Sequence, residues 1–251
     1  MDEQEPTDKI TGARAAGGAP NGPAPAELAK YIDHTMLKPD ARDEAFDQLC
    51  EEALQWGFHS VCVNSGRLRY VAPKLQGTDV KVCAVVGFPL GAMETTAKAF
   101  EAERAVSDGA HELDMVMNVG ALKSGSVKFV EDDIRAVRGA AGSPTVLKVI
   151  IETSLLTDEE KVLACRIARK AGADFVKTCT GFAGGGATPH DIALMRRTVG
   201  PEMGVKASGG LRNYPRAVQI LAAGATRIGA TASVAIVTGQ EGQGGFTTDQ
   251  F

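Results

Sequence analysis

One short pattern recurs three times in this chain and constrains its fold more than any other feature. Asp108-Gly-Ala-His-Glu-Leu-Asp114, Ala171-Gly-Ala-Asp-Phe-Val-Lys177 and Ala223-Gly-Ala-Thr-Arg-Ile-Gly229 each set Gly-Ala in front of an apolar run. A glycine there suits the end of a helix, where the backbone turns left-handed, and the run behind it suits a strand. Runs rich in β-branched and apolar residues occur at Tyr31–Leu37, Ser60–Asn64, Val80–Phe88, Glu112–Asn118, Val146–Glu152, Phe175–Thr180, Val205–Ser208 and Arg227–Ala230. Helical segments lie between most of them. Val127, Val130, Ile134 and Val137 step by three or four residues and share one helix face. Thr157-Asp-Glu-Glu160 reads as a capping box, and Thr188-Pro189 as a cap followed by proline at the first helical position.

Strand-then-helix units with tight returns imply parallel strands joined by right-handed crossovers. Eight units of this regularity predict a closed α/β architecture, a single-domain (β/α)8 TIM barrel. No G-x-G-x-x-G follows the first strand, which counts against a dinucleotide fold. The length of 251 residues suits one such barrel, and 44% hydrophobic residues suffice for its core. Residues 1–26 read as a disordered Gly/Ala/Pro-rich leader, which has too little apolar surface to offset the entropy of ordering. The barrel is expected over residues 27–238 and a flexible glycine-rich tail over 239–251.

A net charge of −4 with no basic run of five or more gives little support to nucleic-acid binding. No apolar stretch reaches membrane-span length and no signal core opens the chain, so a cytoplasmic protein is expected. Cys50, Cys62, Cys83, Cys165 and Cys179 are scattered among apolar neighbours and read as buried, unpaired thiols. His34, His59, His111 and His190 form no ligand cluster, so no metal site is expected. Exposed apolar positions on the outer helices permit a homodimer or higher homo-oligomer.

The active sites of such barrels gather at the carboxyl ends of the strands. The polar residues within or ending the runs are Asp33, Asp114, Lys148, Glu152, Lys177 and Lys206. Lysine is among the residues least often buried. One such lysine could point outward, snorkel or pair with Glu152 or Asp114; three on successive strands are harder to explain that way. An amine attacks a carbonyl only when neutral, and burial together with a neighbouring cation disfavours the ammonium form. Two inward lysines on neighbouring strands supply that arrangement, and a carboxylate such as Asp114 could move protons. Residue chemistry alone does not say which lysine forms the bond. Ser208-Gly209-Gly210 and the segment from Gly229 to Ser233 end the last two strands, where backbone N–H groups commonly hold phosphate in this fold, although such glycines also simply make turns. Gly184-Gly185-Gly186 could form a flexible rim or a further phosphate contact.

Six segments carry a resemblance. Asp33-His-Thr-Met-Leu-Lys-Pro-Asp40, Val85-Val-Gly-Phe-Pro-Leu-Gly91, Glu112-Leu-Asp-Met-Val-Met-Asn118, Leu147-Lys-Val-Ile-Ile-Glu-Thr153, Phe175-Val-Lys-Thr-Cys-Thr-Gly181 and Val205-Lys-Ala-Ser-Gly-Gly210 resemble deoxyribose-phosphate aldolase, in that family's order, from about Tyr31 to Ile236. The resemblance implies that Lys177 is the Schiff-base lysine, Lys206 the lysine that tunes it and Asp114 the proton relay. Lys148 and Asp33 take supporting positions, and Gly209, Gly210, Gly229 and Thr231 hold the phosphate. It implies a lyase that reversibly cleaves 2-deoxy-D-ribose 5-phosphate to D-glyceraldehyde 3-phosphate and acetaldehyde in deoxynucleoside catabolism, with no metal or organic cofactor. The partners are then small phosphorylated sugars and aldehydes.

The pattern departs at Thr231-Ala232, where the family usually has two serines, with Ser233 displaced by one position. It also departs at the terminal Phe251, where some members have tyrosine. Competing expectations are a related barrel aldolase for a different or unphosphorylated aldehyde, a lysine holding pyridoxal phosphate, and a non-catalytic barrel scaffold.

Overall fold

The computed structural model describes residues 22–239. The leader expected over residues 1–26 lies outside the described residues as far as residue 21, and the first helix takes up its last two positions. The tail expected over residues 239–251 lies outside them beyond Gly239, as does the terminal Phe251.

Among the described residues, eight strands form one closed parallel barrel in chain order. They are β1 (Ile32–Met36), β2 (Ser60–Asn64), β3 (Lys81–Val86), β4 (Glu112–Val116), β5 (Val146–Ile150), β6 (Phe175–Lys177), β7 (Gly204–Ser208) and β8 (Arg227–Ala230). The short helix α1 (Pro25–Leu28) precedes β1, and α2 (Asp43–Trp56), α3 (Leu68–Leu75) and α4 (Thr95–Ser107) follow the first three strands. Two helices, α5 (Val119–Lys123) and α6 (Val127–Ala141), separate β4 from β5. The remaining ones are α7 (Asp158–Lys170), α8 (Pro189–Val199), α9 (Tyr214–Ala222) and α10 (Ser233–Thr238).

The three repeated junctions behave as their glycines require. Gly109, Gly172 and Gly224 have φ of 103°, 86° and 114°, and each N–H closes the helix before it by donating to Val106, Arg169 or Leu221. A β-carbon in this region would meet steric strain, so the repeat is a repeated helix stop. Thr157 accepts from the Glu160 amide while the Glu160 carboxylate accepts from the Thr157 amide, which completes the capping box at α7. Thr188 accepts from the Asp191 amide at the start of α8. On α6, Val130, Ile134 and Val137 are fully buried, whereas Val127 at the helix end is partly exposed.

Five strands (β1, β3, β4, β5 and β6) are shorter than their apolar runs, β2 and β8 match theirs, and β7 begins one residue earlier. The run Phe175–Thr180 pairs as a strand only to Lys177, because the chain then leaves the ladder to carry Thr180 to Phe182 over the barrel end. Apolar side chains from the outward face of the sheet and from the helices join in one large core, while Leu37, Cys62, Cys83 and Val85 form a smaller second cluster. Gly91 shows how tightly the carboxyl ends are packed. A β-carbon there would lie 2.3 Å from the Met117 carbonyl oxygen, and its φ is +68°. Gly91→Ala is expected to destabilise the fold by about 2 kcal/mol or more, a sum of backbone strain and overpacking. An unchanged urea midpoint in that variant would refute this account of the turn.

Candidate active site

The barrel interior holds a chain of alternating charges. Period-two alternation turns Glu112 and Asp114 of β4 to the same side, and direct register sets Asp114 beside Lys148, Lys177 beside Lys206, and Lys206 beside Arg227. Asp114 is the hub. Its Oδ1 accepts from Lys148 Nζ at 2.8 Å, and its Oδ2 accepts from Lys177 and from Lys206, each at 2.7 Å. Lys206 also donates to Asp33, and Lys148 pairs with Glu112. Arg227 Nη1 closes the lower end, 2.9 Å from Asp33 Oδ1 and 3.0 Å from Glu112 Oε2.

Burial decides what these groups can do. Lys148, Lys206, Asp33 and Asp114 have no exposed side-chain surface, while Lys177 retains 4%. Lys177 lines a cleft at the carboxyl ends of the strands, with Gly209, Gly210, Gly229 and Thr231 among its walls. Most of the residues singled out from sequence therefore meet at one end of the barrel: Lys177, Lys206 and Asp114 at the centre, Lys148 and Asp33 flanking them, and Gly209, Gly210, Gly229 and Thr231 around the mouth; Glu152 and Gly184-Gly185-Gly186 do not line the cleft. Gly229 makes room for Lys206, whose Cε would lie 3.0 Å from an added β-carbon.

The cluster keeps its charges through mutual pairing. Burial works against the Lys206 ammonium, but Asp114 and Asp33 outweigh it and hold the group above the ordinary lysine range. Lys148 is held up in the same way, against burial, chiefly by Asp114. Burial would raise the Asp114 carboxyl, yet Lys148, Lys177 and Lys206 hold it well below the usual range. For Glu112, burial is likewise outweighed, mainly by Lys148, and the carboxyl falls to about 2. Asp33 is also lowered, by Lys206, Lys148 and Arg227 acting against burial.

Each of these carboxyls is more acidic in the folded than in the unfolded chain. The stability they contribute is thus fully present above their unfolded values and withdrawn as the pH falls toward the folded ones. For Glu112 that window runs from its ordinary 4.5 down to about 2. The thermal midpoint is expected to fall steeply once the pH drops below about 4.5. A comparable fall between about pH 7 and pH 5 would contradict this origin of acid lability.

Six residues in or around the site were not singled out from sequence or were given another role. Glu112 and Arg227 point inward with Asp114 and Gly229, a consequence of alternation that was available once the strands were assigned. Cys62 and Cys83 are buried and unpaired as expected, but not purely apolar in setting: Cys83 Sγ lies 3.2 Å from Asp114 Oδ1 and 3.5 Å from Lys148 Nζ. Elsewhere burial alone raises Cys165 to about 12. Among the described residues, Glu152 pairs with no lysine. It sits at φ 56° after β5, and its buried carboxylate accepts from the Thr180 amide and hydroxyl, which fixes the turn that follows Lys177. Ser233 also turns away from the cleft, donating to the Ala230 carbonyl beside His34, whereas Thr231 lines the cleft together with Thr35, Thr180 and Ser208.

Comparison with known proteins agrees with this fold. The family model described as DeoC/LacD family aldolase matches residues 27–240. A protein of Streptococcus pneumoniae (serotype 19F, strain G54) named deoxyribose-phosphate aldolase is 60% identical over 220 residues, which cover 88% of this chain and 100% of the relative. A deoxyribose-phosphate aldolase of Macrococcus caseolyticus is 58% identical over 87% of this chain and 99% of its own. The tetrameric structure of deoxyribose phosphate aldolase from Aeropyrum pernix superposes with a TM-score of 0.80 at 34% identity, over 86% of this chain and 91% of that one. Among the described residues, no helix is long and apolar enough to cross a membrane.

Proposed function

This chain belongs to the DeoC/LacD aldolase family, and on that premise we propose that it cleaves 2-deoxy-D-ribose 5-phosphate reversibly through a Schiff base on Lys177. The observation that carries the reading is a charge count. Among the described residues inside the barrel, four cations (Lys148, Lys177, Lys206 and Arg227) face three carboxylates (Asp33, Glu112 and Asp114). The count closes when one cation gives up its proton. Lys148 and Lys206 each hold two or more carboxylates, whereas Lys177 has only a share of Asp114 Oδ2 and is the one that lines the cleft. It has both the least compensated charge and access to substrate.

In the synthetic direction, neutral Lys177 adds to the carbonyl of acetaldehyde, and loss of water leaves an iminium. Asp114, directly or through a water, takes a proton from the adjacent methyl carbon to give the enamine. Iminium and carboxylate are discharged together in that step, so the net charge of the buried cluster is unchanged and no new charge needs solvating. The enamine carbon attacks the aldehyde of glyceraldehyde 3-phosphate, and hydrolysis frees the sugar and restores Lys177. Lys206 remains cationic beside the reacting nitrogen. Lys148 and Asp33 hold Asp114 and Lys206 in place. Gly209 and Gly210, both left-handed in φ, with Gly229, Thr231 and the cleft cations Lys38 and Arg212, hold the phosphate. We place the enzyme in the cytoplasm and as a homo-oligomer; the tetrameric Aeropyrum relative and the exposed Leu90, Phe100 and Phe129 support the oligomer.

The test is reduction with borohydride in the presence of acetaldehyde, followed by peptide mapping. An ethyl adduct on Lys177 is expected. An adduct on Lys206 or Lys148 would reverse the roles, and no adduct in folded protein would remove the aldolase mechanism. Comparing phosphorylated with plain deoxyribose then tests the phosphate cradle.

A further inference from the structure

We propose that Arg227, at the floor of the barrel, supplies the charge that keeps Lys177 available as a neutral amine. The inference rests on the Schiff-base reading and extends it to a residue that does not touch substrate. Arg227 is a positioning and charge-balancing residue. It opens β8, is 9% exposed in its side chain, and lies over the Phe175 ring at 5.3 Å. Its guanidinium engages Asp33 and Glu112.

From there the contacts alternate in sign up the barrel: Arg227 to Asp33, Asp33 to Lys206, Lys206 to Asp114, Asp114 to Lys177. A parallel branch runs from Arg227 through Glu112 and Lys148 to Asp114. Every strand adds a group that faces this network or abuts it. Asp33 comes from β1, Cys62 from β2 with His59 just before it, and Cys83 from β3. Glu112 and Asp114 come from β4, Lys148 from β5, Lys177 from β6, Lys206 from β7 and Arg227 from β8. His59 hydrogen-bonds Glu112 at 3.1 Å.

With Arg227 in place, Asp33 and Glu112 are already partly satisfied, so Lys206 and Lys148 remain committed to Asp114 and a protonated Lys177 is surplus. Without it, Lys206 is drawn to Asp33 and Lys148 to Glu112. Asp114 is then left for Lys177, and three cations match three carboxylates. Giving up the Lys177 proton would uncover a buried carboxylate, a costly state.

The experiment is the pH dependence of kcat/KM, whose acid limb reports the free enzyme. In Arg227→Met the acid limb is expected to move up by about one pH unit, a deficit of roughly tenfold on the acid side that narrows as the pH rises. Arg227→Lys keeps the charge and is expected to retain most of the native profile. Glu112→Gln removes an anion instead and is expected to move the limb down, while Arg227→Met with Glu112→Gln returns it toward the native position. A loss of folded protein alone would scale activity equally at every pH and move no limb. An unmoved limb in Arg227→Met, or an upward shift in Glu112→Gln, overturns the proposal; if Arg227→Met fails to fold, the Glu112→Gln shift decides it. Borohydride trapping on the native enzyme separates the two failures. An adduct on Lys177 with unmoved limbs sinks the role of Arg227 alone, and absence of that adduct removes the reading beneath it.

Discussion

Replacing Lys177 by methionine is expected to cut turnover by on the order of 10⁵-fold, the scale on which loss of a covalent nucleophile acts, while leaving the fold about as stable as the native one. The second half of that expectation is the informative one. Removing one partner of a buried ion pair ordinarily costs about 3–5 kcal/mol, because the other charge is stranded. Asp114 is not stranded here, since Lys148 and Lys206 still hold both of its oxygens. Methionine is close to lysine in volume and needs no counter-charge. A stability change within about 1 kcal/mol, or a gain, is therefore expected from urea denaturation. A loss of about 3 kcal/mol would show that the Lys177 charge is structurally required and would undercut the argument that it is surplus. Residual turnover near the native rate would move the covalent role to another lysine.

Asp114→Asn is expected to do the opposite and damage both properties. Its carboxylate accepts from three lysine Nζ atoms, the Lys148 and Lys206 ammonium groups among them, and none of the three side chains has exposed surface beyond the 4% of Lys177. An amide oxygen can accept a hydrogen bond but cannot balance those charges. Destabilisation of about 3–5 kcal/mol is expected. Turnover should fall by about 10²–10⁴, the usual worth of a general acid–base group. Borohydride trapping should persist at reduced yield, because the Lys177 amine is still present. A variant with native stability would show that Asp33 and Glu112 suffice to neutralise the lysines, and the hub would have to be moved.

The two variants separate site from scaffold. In the first, a group needed for chemistry is dispensable for folding; in the second, one residue serves both. Asp114 can do so because Lys148 and Lys206 are held cationic within reach of the same carboxylate, so the arrangement that keeps it ionised also keeps it beside the reacting nitrogen.

Much of this was legible in the chain. Strand and helix order, the three glycine helix stops, the caps of α7 and α8 and the inward lysines are local consequences of residue type and spacing, and local physics fixes them wherever the segment sits. The barrel followed from eight regular repeats. What required the tertiary structure was relational. Strand register set Lys177 beside Lys206 and Lys206 beside Arg227, and that brought seven charges into one buried volume. Sequence spacing could show that three lysines lie on strands; only closure of the barrel shows which of them reaches the cleft and which carboxylates are shared. Alternation already turned Arg227 and Glu112 inward, but a charge at the start of a strand reads as a solvated end, and only closure of the sheet shows that the two meet. Glu152 looked like a partner for lysine and instead holds Thr180, since its left-handed backbone turns the carboxylate toward the loop after β6. Electrostatic balance belongs to distances across the barrel, and those exist only once the last strand meets the first.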